Sequence, residues 1–307
     1  MLECPCPKEA SEGVPQLKVT KAVILAAGYG TRLLPVTKAQ PKEMLPLVDK
    51  PVIQYSVEEA VDSGITDIII VTALGKRAVE DYFDRSRDVE QLLLEKGDQA
   101  GYEQLRRISD MANFAYVRQG EMGVIGHAVL TVRHLIDDDE AFILFLPDDV
   151  IVGEIPATRQ LIDCYERHHR SVVAVEEVPH DLTSSYGIVA GDQVEERLLR
   201  LNRLVEKPAP SQAPSNLAIV GRYLFTPAVF EAIQRTPRGY GGELQITDAM
   251  QTLADEEGMY AFRFEGERFD IGRPLSLIIA NVAMALRRED TAPELRRFLR
   301  GLNFDEP

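Results

Sequence analysis

The sequence predicts an α/β fold: a Rossmann-like, doubly wound, mostly parallel (mixed) central sheet, with helices on both faces and added antiparallel strands. Three observations lead there. Apolar, β-branched runs of strand length alternate with longer stretches whose apolar residues recur at helical spacing. The first such run breaks straight into Gly28-Tyr29-Gly30, the arrangement by which α/β proteins bring backbone N–H groups up to a phosphate. The short polar motifs singled out below fall at the ends of such runs, and open α/β sheets bind ligands beyond the carboxyl ends of their strands.

Residues 1–18 contain Pro, Glu and Ser without periodicity and read as a disordered extension. They have neither a basic start nor an apolar h-region, so they are no secretory signal. Residues 21–26 form the first strand. Residues 52–63 place apolar side chains at helical spacing and stop at Gly64. A β-branched strand at 68–72 precedes a charged helical stretch over 76–109, a strand at 114–118 and a helix over 126–136. The run 142–146 is a buried strand that ends in Pro147-Asp148-Asp149. A helix at 157–169 and a strand at 171–178 continue the sheet, and the strands at 187–190, 199–205 and 217–225 alternate as antiparallel additions do. A flexible loop at 239–242 leads to a helix at 246–257, a strand at 260–265 and two closing helices at 274–288 and 294–302. No internal repeat or low-complexity linker divides the chain. One fused unit over 19–288 is expected, followed by a C-terminal helix and tail at 289–307.

The chain has 307 residues, a formal net charge of −15, 45% hydrophobic and 27% charged residues. This composition is ordinary for a globular protein with a sizeable core. No apolar run approaches the roughly 18 residues of a membrane span, so no membrane partner is expected. Cys4, Cys6 and Cys164 are too few and too unevenly spaced for a disulfide framework, which implies a reduced, cytoplasmic compartment. Cys4-Pro5-Cys6 lies in a short Pro-rich tail and is read as neither a metal site nor a redox pair. The acidic balance argues against nucleic acid as a partner. Locally the sign reverses: residues 28–50 hold Arg32, Lys38, Lys42 and Lys50 against Glu43 and Asp49. A positive pocket in an acidic body suits a small anionic molecule.

Arg32, Lys38 and Lys42 project from a segment punctuated by Pro35, Pro41 and Pro46, which one regular helix cannot accommodate. Two familiar glycine motifs fail here. The dinucleotide fingerprint needs a third glycine where Leu33 stands, and the P-loop needs Gly-Lys-Ser/Thr. Gly-x-Gly alone is also what an ordinary tight turn looks like. The longer string G-x-G-T-R-x-x-P-x-T-K-x-x-P-K-E-M-L-P, however, resembles the nucleotide-binding loop of the nucleoside-diphosphate-sugar pyrophosphorylases. The resemblance runs from residue 21 to 288 with at least five motifs in order. Within that family, PKEMLPLVDKP and the QGxxGxxGHAV spacing are similar to the uridylyl-transferring branch. The expected reaction therefore joins UTP and glucose-1-phosphate, with Mg²⁺ as cofactor and a homo-oligomer (dimer or tetramer) as the assembly. A sister enzyme using dTTP or another sugar phosphate, and a non-catalytic sensor with this fold, are the alternatives.

Site residues carry over one by one. Adjacent strand residues face opposite ways, so at most one of Asp148 and Asp149 is expected to point into the crevice. An Asp at a strand end is also a common turn or cap residue. The resemblance selects Asp148, directly after Leu-Pro, as a metal ligand. Mg²⁺ usually takes one or two carboxylates plus phosphate oxygens, and Asp270 in Phe269-Asp270-Ile271-Gly272 matches the family's late acid. Arg273 departs from the small polar residue that often follows that glycine. The resemblance further implies a nucleotide site of Ala26, Ala27, Gly28, Gly30, Thr31, Arg32 and Lys42, with Arg32, Lys42 and Asp148 catalytic. Gln119 is expected to read the base, because one amide both donates and accepts. Gly126 is expected to approach the ribose or base. On the sugar-phosphate side stand Gly187, Glu206, Lys207 and Asn216, although a bare Glu-Lys-Pro is more often a solvated strand end. His127 is rejected as a general base, since a sugar phosphate is already an anionic nucleophile. Thr247-Asp248 is read as the start of a helix or as a sugar- or interface-facing pair, and not as catalytic.

Overall fold

A computed structural model describes residues 17–120, 125–242 and 244–303. Most of the expected extension, with Cys4-Pro5-Cys6, lies outside these residues, as do 121–124 and Glu243.

Strand β1 (Lys18–Leu25) runs into a loop of three 3-10 turns, Thr31–Leu33, Val36–Lys38 and Lys42–Met44. A small ladder of β2 (Pro46–Leu47) and β3 (Lys50–Pro51) closes that loop and leads into α1 (Val52–Asp62). β4 (Asp67–Thr72) follows. The charged stretch expected as helical breaks into three helices: α2 (Arg77–Phe83), α3 (Arg87–Glu95) and α4 (Gln99–Asp110). Then come β5 (Asn113–Arg118), a short α5 (Ile125–Leu130), β6 (Glu140–Phe145), β7 (Asp149–Val152), α6 (Ala157–His168) and β8 (Val172–Glu177). β9 (Gly187–Glu195), β10 (Leu198–Glu206) and β11 (Leu217–Phe225) are followed by α7 (Ala228–Arg235), a helix absent from the sequence reading. The chain continues through a 3-10 turn at Tyr240–Gly242, α8 (Ile246–Glu256), β12 (Tyr260–Arg263), β13 (Glu267–Asp270), α9 (Pro274–Ala285) and α10 (Ala292–Arg300).

Nine strands form one sheet in the order β5-β4-β1-β6-β11-β8-β12-β10-β9. The expectation of a mostly parallel sheet needs correction. β5, β4, β1 and β6 run parallel, as do β8 and β12, but β11 lies between β6 and β8 and opposes both. β10 and β9 add two further antiparallel pairings. β11 also pairs with β9, antiparallel, so the sheet is mixed, with five antiparallel and four parallel pairings among the described residues. The physical reason is β11: its nine residues are all buried, and antiparallel ladders tolerate full burial when helices cover both faces.

Both faces are covered. Strand residues alternate, so Val23, Phe142, Leu144 and Tyr223 pack toward α5, α7 and α8, while Ala22, Ile24, Ile143 and Leu224 pack toward α1, α2 and α6. A third cluster, Leu47, Val52, Val150, Phe269, Ile271 and Ala280, seats the β7–β13 pair on α9. Regular structure is already present at the expected boundary of 18. Lys18 is already in β1, and the Leu17 N–H donates to the Tyr165 hydroxyl at 3.1 Å.

Candidate active site

The ends of β1, β6, β10 and β13 converge on a cleft of about 180 Å³. Its walls include Arg32, Asp148, Asp149, Tyr186, Gly187, Glu206, Lys207, Thr247, Arg268 and Asp270. Topology explains the convergence. β1 and β6 are parallel neighbours, and the β7–β13 ladder pairs Asp149 with Asp270, which brings the two acid-bearing segments together.

Asp148 sits in the turn after β6. The Leu146 N–H donates to the Gly221 carbonyl at 2.9 Å, and the Asp149 N–H closes back on the Leu146 carbonyl at 3.2 Å. The Ile271 N–H donates to the Asp148 carbonyl at 2.9 Å, locking the turn against β13's end. The Asp148 side chain accepts from Lys42 Nζ at 2.8 Å, with Arg32 Nη2 3.8 Å from the same oxygen. Burial works to raise the Asp148 carboxyl, but Lys42 and Arg32 overcome it and hold its pKa below the ordinary carboxylate value. Burial works against the charge on Lys42 as well, and Asp148 and Glu43 push its pKa above the ordinary lysine value. Acid and cation are therefore both charged near neutrality.

The next residue behaves differently. Asp149 Oδ2 accepts from the Gly221 N–H at 2.9 Å and Oδ1 from Arg268 Nε at 2.6 Å. Arg268 also meets Glu176 and lies over the Tyr186 ring, 5.2 Å to its centroid. Burial opposes the charge on Arg268, but Asp149 and Glu176 push its pKa up. The expectation that at most one of the two acids points into the crevice is therefore corrected: β6 ends at Phe145, so Asp148 lies in a turn where strand alternation does not apply. Both carboxylates reach the cleft wall, and the partners of Asp149 already occupy both its oxygens.

Around the opening loop, Gly30 has φ +66°, and a Cβ there would stand 3.1 Å from both Lys42 Cβ and Thr37 Cγ2, so only glycine fits without strain. The Thr37 hydroxyl donates to the Gly30 carbonyl at 2.9 Å and fixes the turn. Gly28 and Thr31 are exposed, and Arg32 keeps 58% of its side-chain surface, so this rim remains open to a ligand. Ala26 and Ala27 are buried, and the Ala26 N–H already donates to the Val71 carbonyl at 2.8 Å. Gln119 is buried at the end of β5, its amide Nε2 3.1 Å from His127 Nδ1. That contact gives His127 a place as a neighbour of Gln119. At Gly126 a Cβ would come within 2.7 Å of the Leu244 carbonyl, so packing against residue 244 already accounts for this glycine.

The expected sugar side is largely assembled. Glu206 ends β10 and accepts from the Thr247 hydroxyl at 2.6 Å, with Lys207 Nζ 3.2 Å from its other oxygen. Lys207 takes φ +46°, and its N–H donates to the Tyr186 carbonyl at 3.0 Å. A Cβ on Gly187 would meet Thr247 Oγ1 at 3.0 Å and Glu206 Oε2 at 3.1 Å, so the glycine opens the floor of the cleft. Asn216 is not brought in: it is exposed ahead of β11 and lies outside the cleft wall, and its carbonyl serves the Val178 N–H. Arg273 lines an adjoining cavity of about 470 Å³ with Arg32, Arg268 and Asp270, away from Glu206.

Among the described residues no group of three or more His, Cys, Asp or Glu forms a closed metal cage. Asp148 and Asp270 in one cleft make the donor set of a hard cation whose remaining ligands are phosphate oxygens and water, so the residues fit Mg²⁺. Asp270 Oδ1 accepts from the Gly272 N–H at 2.9 Å, which orients that carboxylate.

Sequence reasoning missed Arg268. It lies two residues before Asp270 and therefore on the same face of β13, a period-2 signal that would have found it. It also missed the buried Glu59–Arg222 pair, whose partners are far apart in the chain and carry no local signature.

A nucleotidyl transferase family model matches residues 21–286. The UTP–glucose-1-phosphate uridylyltransferase of Bacillus subtilis (strain 168) is 47% identical over 285 residues, covering 93% of this chain and 97% of that protein. A UDP-glucose pyrophosphorylase solved in complex with UDP-glucose superposes with a TM-score of 0.80 at 42% identity, covering 88% of this chain and all of that one. A UTP-bound UGPase from Acinetobacter baumannii gives a TM-score of 0.84 at 34% identity over 93% of this chain and all of its own.

Proposed function

The chain belongs to the nucleotidyl transferase family, and we propose that it is a UTP:glucose-1-phosphate uridylyltransferase, forming UDP-glucose and pyrophosphate. The observation that carries this reading is the meeting of Lys42 and Arg32 from the opening loop with Asp148, in a cleft whose far wall holds Glu206 and Lys207. A cation-bearing loop residue, two acids and a hydroxyl-accepting carboxylate thus line one cleft.

The phosphate oxygen of glucose-1-phosphate attacks the α-phosphorus of UTP. The new P–O bond forms as the bond from the α-phosphorus to the bridging oxygen breaks, and pyrophosphate leaves with that electron pair. The nucleophile is already anionic, so no side chain has to take a proton from it. Catalysis is then positioning and charge neutralisation. The Gly28, Gly30 and Thr31 backbone and Arg32 hold the departing pyrophosphate, with Ala26 and Ala27 forming the floor beneath them. Lys42, kept charged beside Asp148, meets the negative charge that grows at the α-phosphate. Gln119 reads the uracil edge and His127 orients its amide. Glu206 accepts from sugar hydroxyls, Lys207 holds the sugar's phosphate, and Gly187 leaves room for the ring. Asp148 and Asp270 are the residues that would hold Mg²⁺, which would supply neutralisation of charge on the α-phosphate.

The assembly is proposed to be a dimer or tetramer. Leu275, Ile278 and Ile279 on α9 and Phe298 on α10 are exposed apolar side chains. Pyrophosphate release measured across four nucleoside triphosphates and several sugar phosphates tests the assignment. UTP with glucose-1-phosphate should give the highest kcat/KM. Preference for another nucleotide would sink the uridylyl assignment, and no turnover with any pair would sink the enzyme.

A further inference from the structure

Arg222 is the bulkiest fully enclosed side chain among the described residues. A guanidinium withdrawn from water is destabilising unless it is paired and fully hydrogen-bonded, so its placement calls for a reason. The strand that carries it is irregular at that point. β11 advances from Ile219 to Tyr223 while β8 moves only from Val175 to Val173, a bulge of the kind that re-aims a side chain. The guanidinium turns beneath the end of β6, over the Phe145 ring at 4.5 Å from its centroid. Nη1 donates to the carbonyls of Leu146 at 3.3 Å and Gly221 at 2.9 Å, and Nη2 donates to the Asp149 carbonyl at 2.8 Å. The Leu146 and Asp149 carbonyls bracket Asp148.

The counter-charge comes from α1. Glu59 Oε1 and Oε2 accept from Arg222 Nε at 3.1 and 3.0 Å, and Oε2 accepts from Nη2 at 2.8 Å. Glu59 Oε1 also takes the Thr158 N–H at 3.0 Å and hydroxyl at 2.7 Å at the start of α6. α1 begins where the opening loop ends, with the Val52 N–H donating to the Leu45 carbonyl at 3.1 Å. One buried pair therefore joins the helix behind the nucleotide loop to the turn that carries the metal acid.

We infer that Arg222, held by Glu59, is a positioning residue that sets the backbone of the 146–149 turn and with it the direction in which Asp148 presents its carboxylate. This rests on the reading of the chain as a uridylyltransferase with Asp148 as a metal ligand. A planar fork can serve three carbonyls and a carboxylate at once, which a lysine ammonium cannot. An apolar pair of similar volume would satisfy packing but remove the guanidinium's donors, leaving the Leu146 and Gly221 carbonyls with one backbone N–H each and the Asp149 carbonyl without the 2.8 Å bond from Nη2.

The test compares wild type, Arg222→Lys, Glu59→Gln and Asp148→Asn, with thermal melts to give the folded fraction. Steady-state kinetics are followed with UTP and glucose-1-phosphate, and Mn²⁺ binding in the presence of UTP by electron paramagnetic resonance. In folded Arg222→Lys, kcat and Mn²⁺ affinity should each fall about 10- to 100-fold, the scale of lost support behind a metal ligand. KM for both substrates should move by less than about threefold. Wild-type kcat and Mn²⁺ affinity per folded molecule in Arg222→Lys would overturn the inference. If that variant does not fold, Glu59→Gln decides: it should show the same split between kcat and KM, and wild-type behaviour would again overturn it. A wild type that fails to turn over UTP, or an Asp148→Asn variant that binds Mn²⁺ as wild type does, would instead fault the underlying reading.

Discussion

At the scale of single residues, the two adjacent acids separate cleanly by partner. Asp148 faces Lys42 and Arg32, while Asp149 holds Arg268 and the Gly221 N–H. Asp148→Asn should therefore cost on the order of a hundredfold or more in kcat, the scale of a charge aimed at the transition state, with a smaller change in melting temperature than Asp149→Asn, since Lys42 keeps more contact with water than Arg268. Asp149→Asn should act chiefly on stability, by up to about 3 kcal/mol, because it leaves a buried guanidinium short of its counter-charge. Urea melts and kinetics on both variants check this, and equal kinetic losses with equal melts would refute the division. The two lysines divide as well. Lys42→Ala should lower kcat and kcat/KM together, and Lys207→Ala should mainly raise KM for glucose-1-phosphate, each by roughly 2–4 kcal/mol of lost interaction. Varying each substrate in turn distinguishes them, and an unchanged sugar-phosphate KM in Lys207→Ala would dismiss its role. Residues that speak through local strings, such as Asp148 after Leu-Pro or Gly30 in its turn, were legible in the sequence. Arg222 and Glu59 were not, because the identity of a buried charge's partner depends on which strands become neighbours.

At the scale of elements, the strands of the large sheet were read well, whereas the short β2–β3 and β7–β13 ladders and the interruptions were not. The stretch 76–109 is helical in composition but breaks at Asp84 and near Gly97, where φ is +73°. α7 escaped because Pro227, its N-cap, and Thr236 bracket only eight residues, too few for a strong helical period. The split of the sheet into parallel and antiparallel neighbours was also hidden, since a fully apolar strand such as β11 looks the same in either direction. α9 is the element with the most to gain from a partner. Of its twelve residues only Ala280 is buried, while Leu275, Ile278 and Ile279 face outward. If this face meets another subunit, Ile278→Arg combined with Leu275→Arg should convert the oligomer to a monomer by light scattering while the fold melts as before. A wild-type monomer at working concentration would remove the proposal.

At the scale of the whole molecule, the cleft belongs to neither half of the sheet. β1, β4 and β5 lie on the proposed nucleotide side, β9 and β10 on the proposed sugar side, and β6 with β11 form the seam beside which Asp148 stands. The seam also sets an order of events during synthesis. β1 leaves the ribosome first, yet its inner neighbour β6 appears only at residue 140, and β6 gains its own second neighbour at residue 217. Non-local pairing of this kind is slow and leaves strand edges open while it waits. The nascent chain therefore carries an unpaired apolar β6 edge for the time needed to add some seventy more residues, which at about 5–20 residues per second lasts several seconds. A fragment stopped at residue 214 freezes that stage. It should show no cooperative melt, digest readily and aggregate unless a chaperone holds it, whereas a compact, protease-resistant fragment would mean that the nucleotide half closes without waiting for β11.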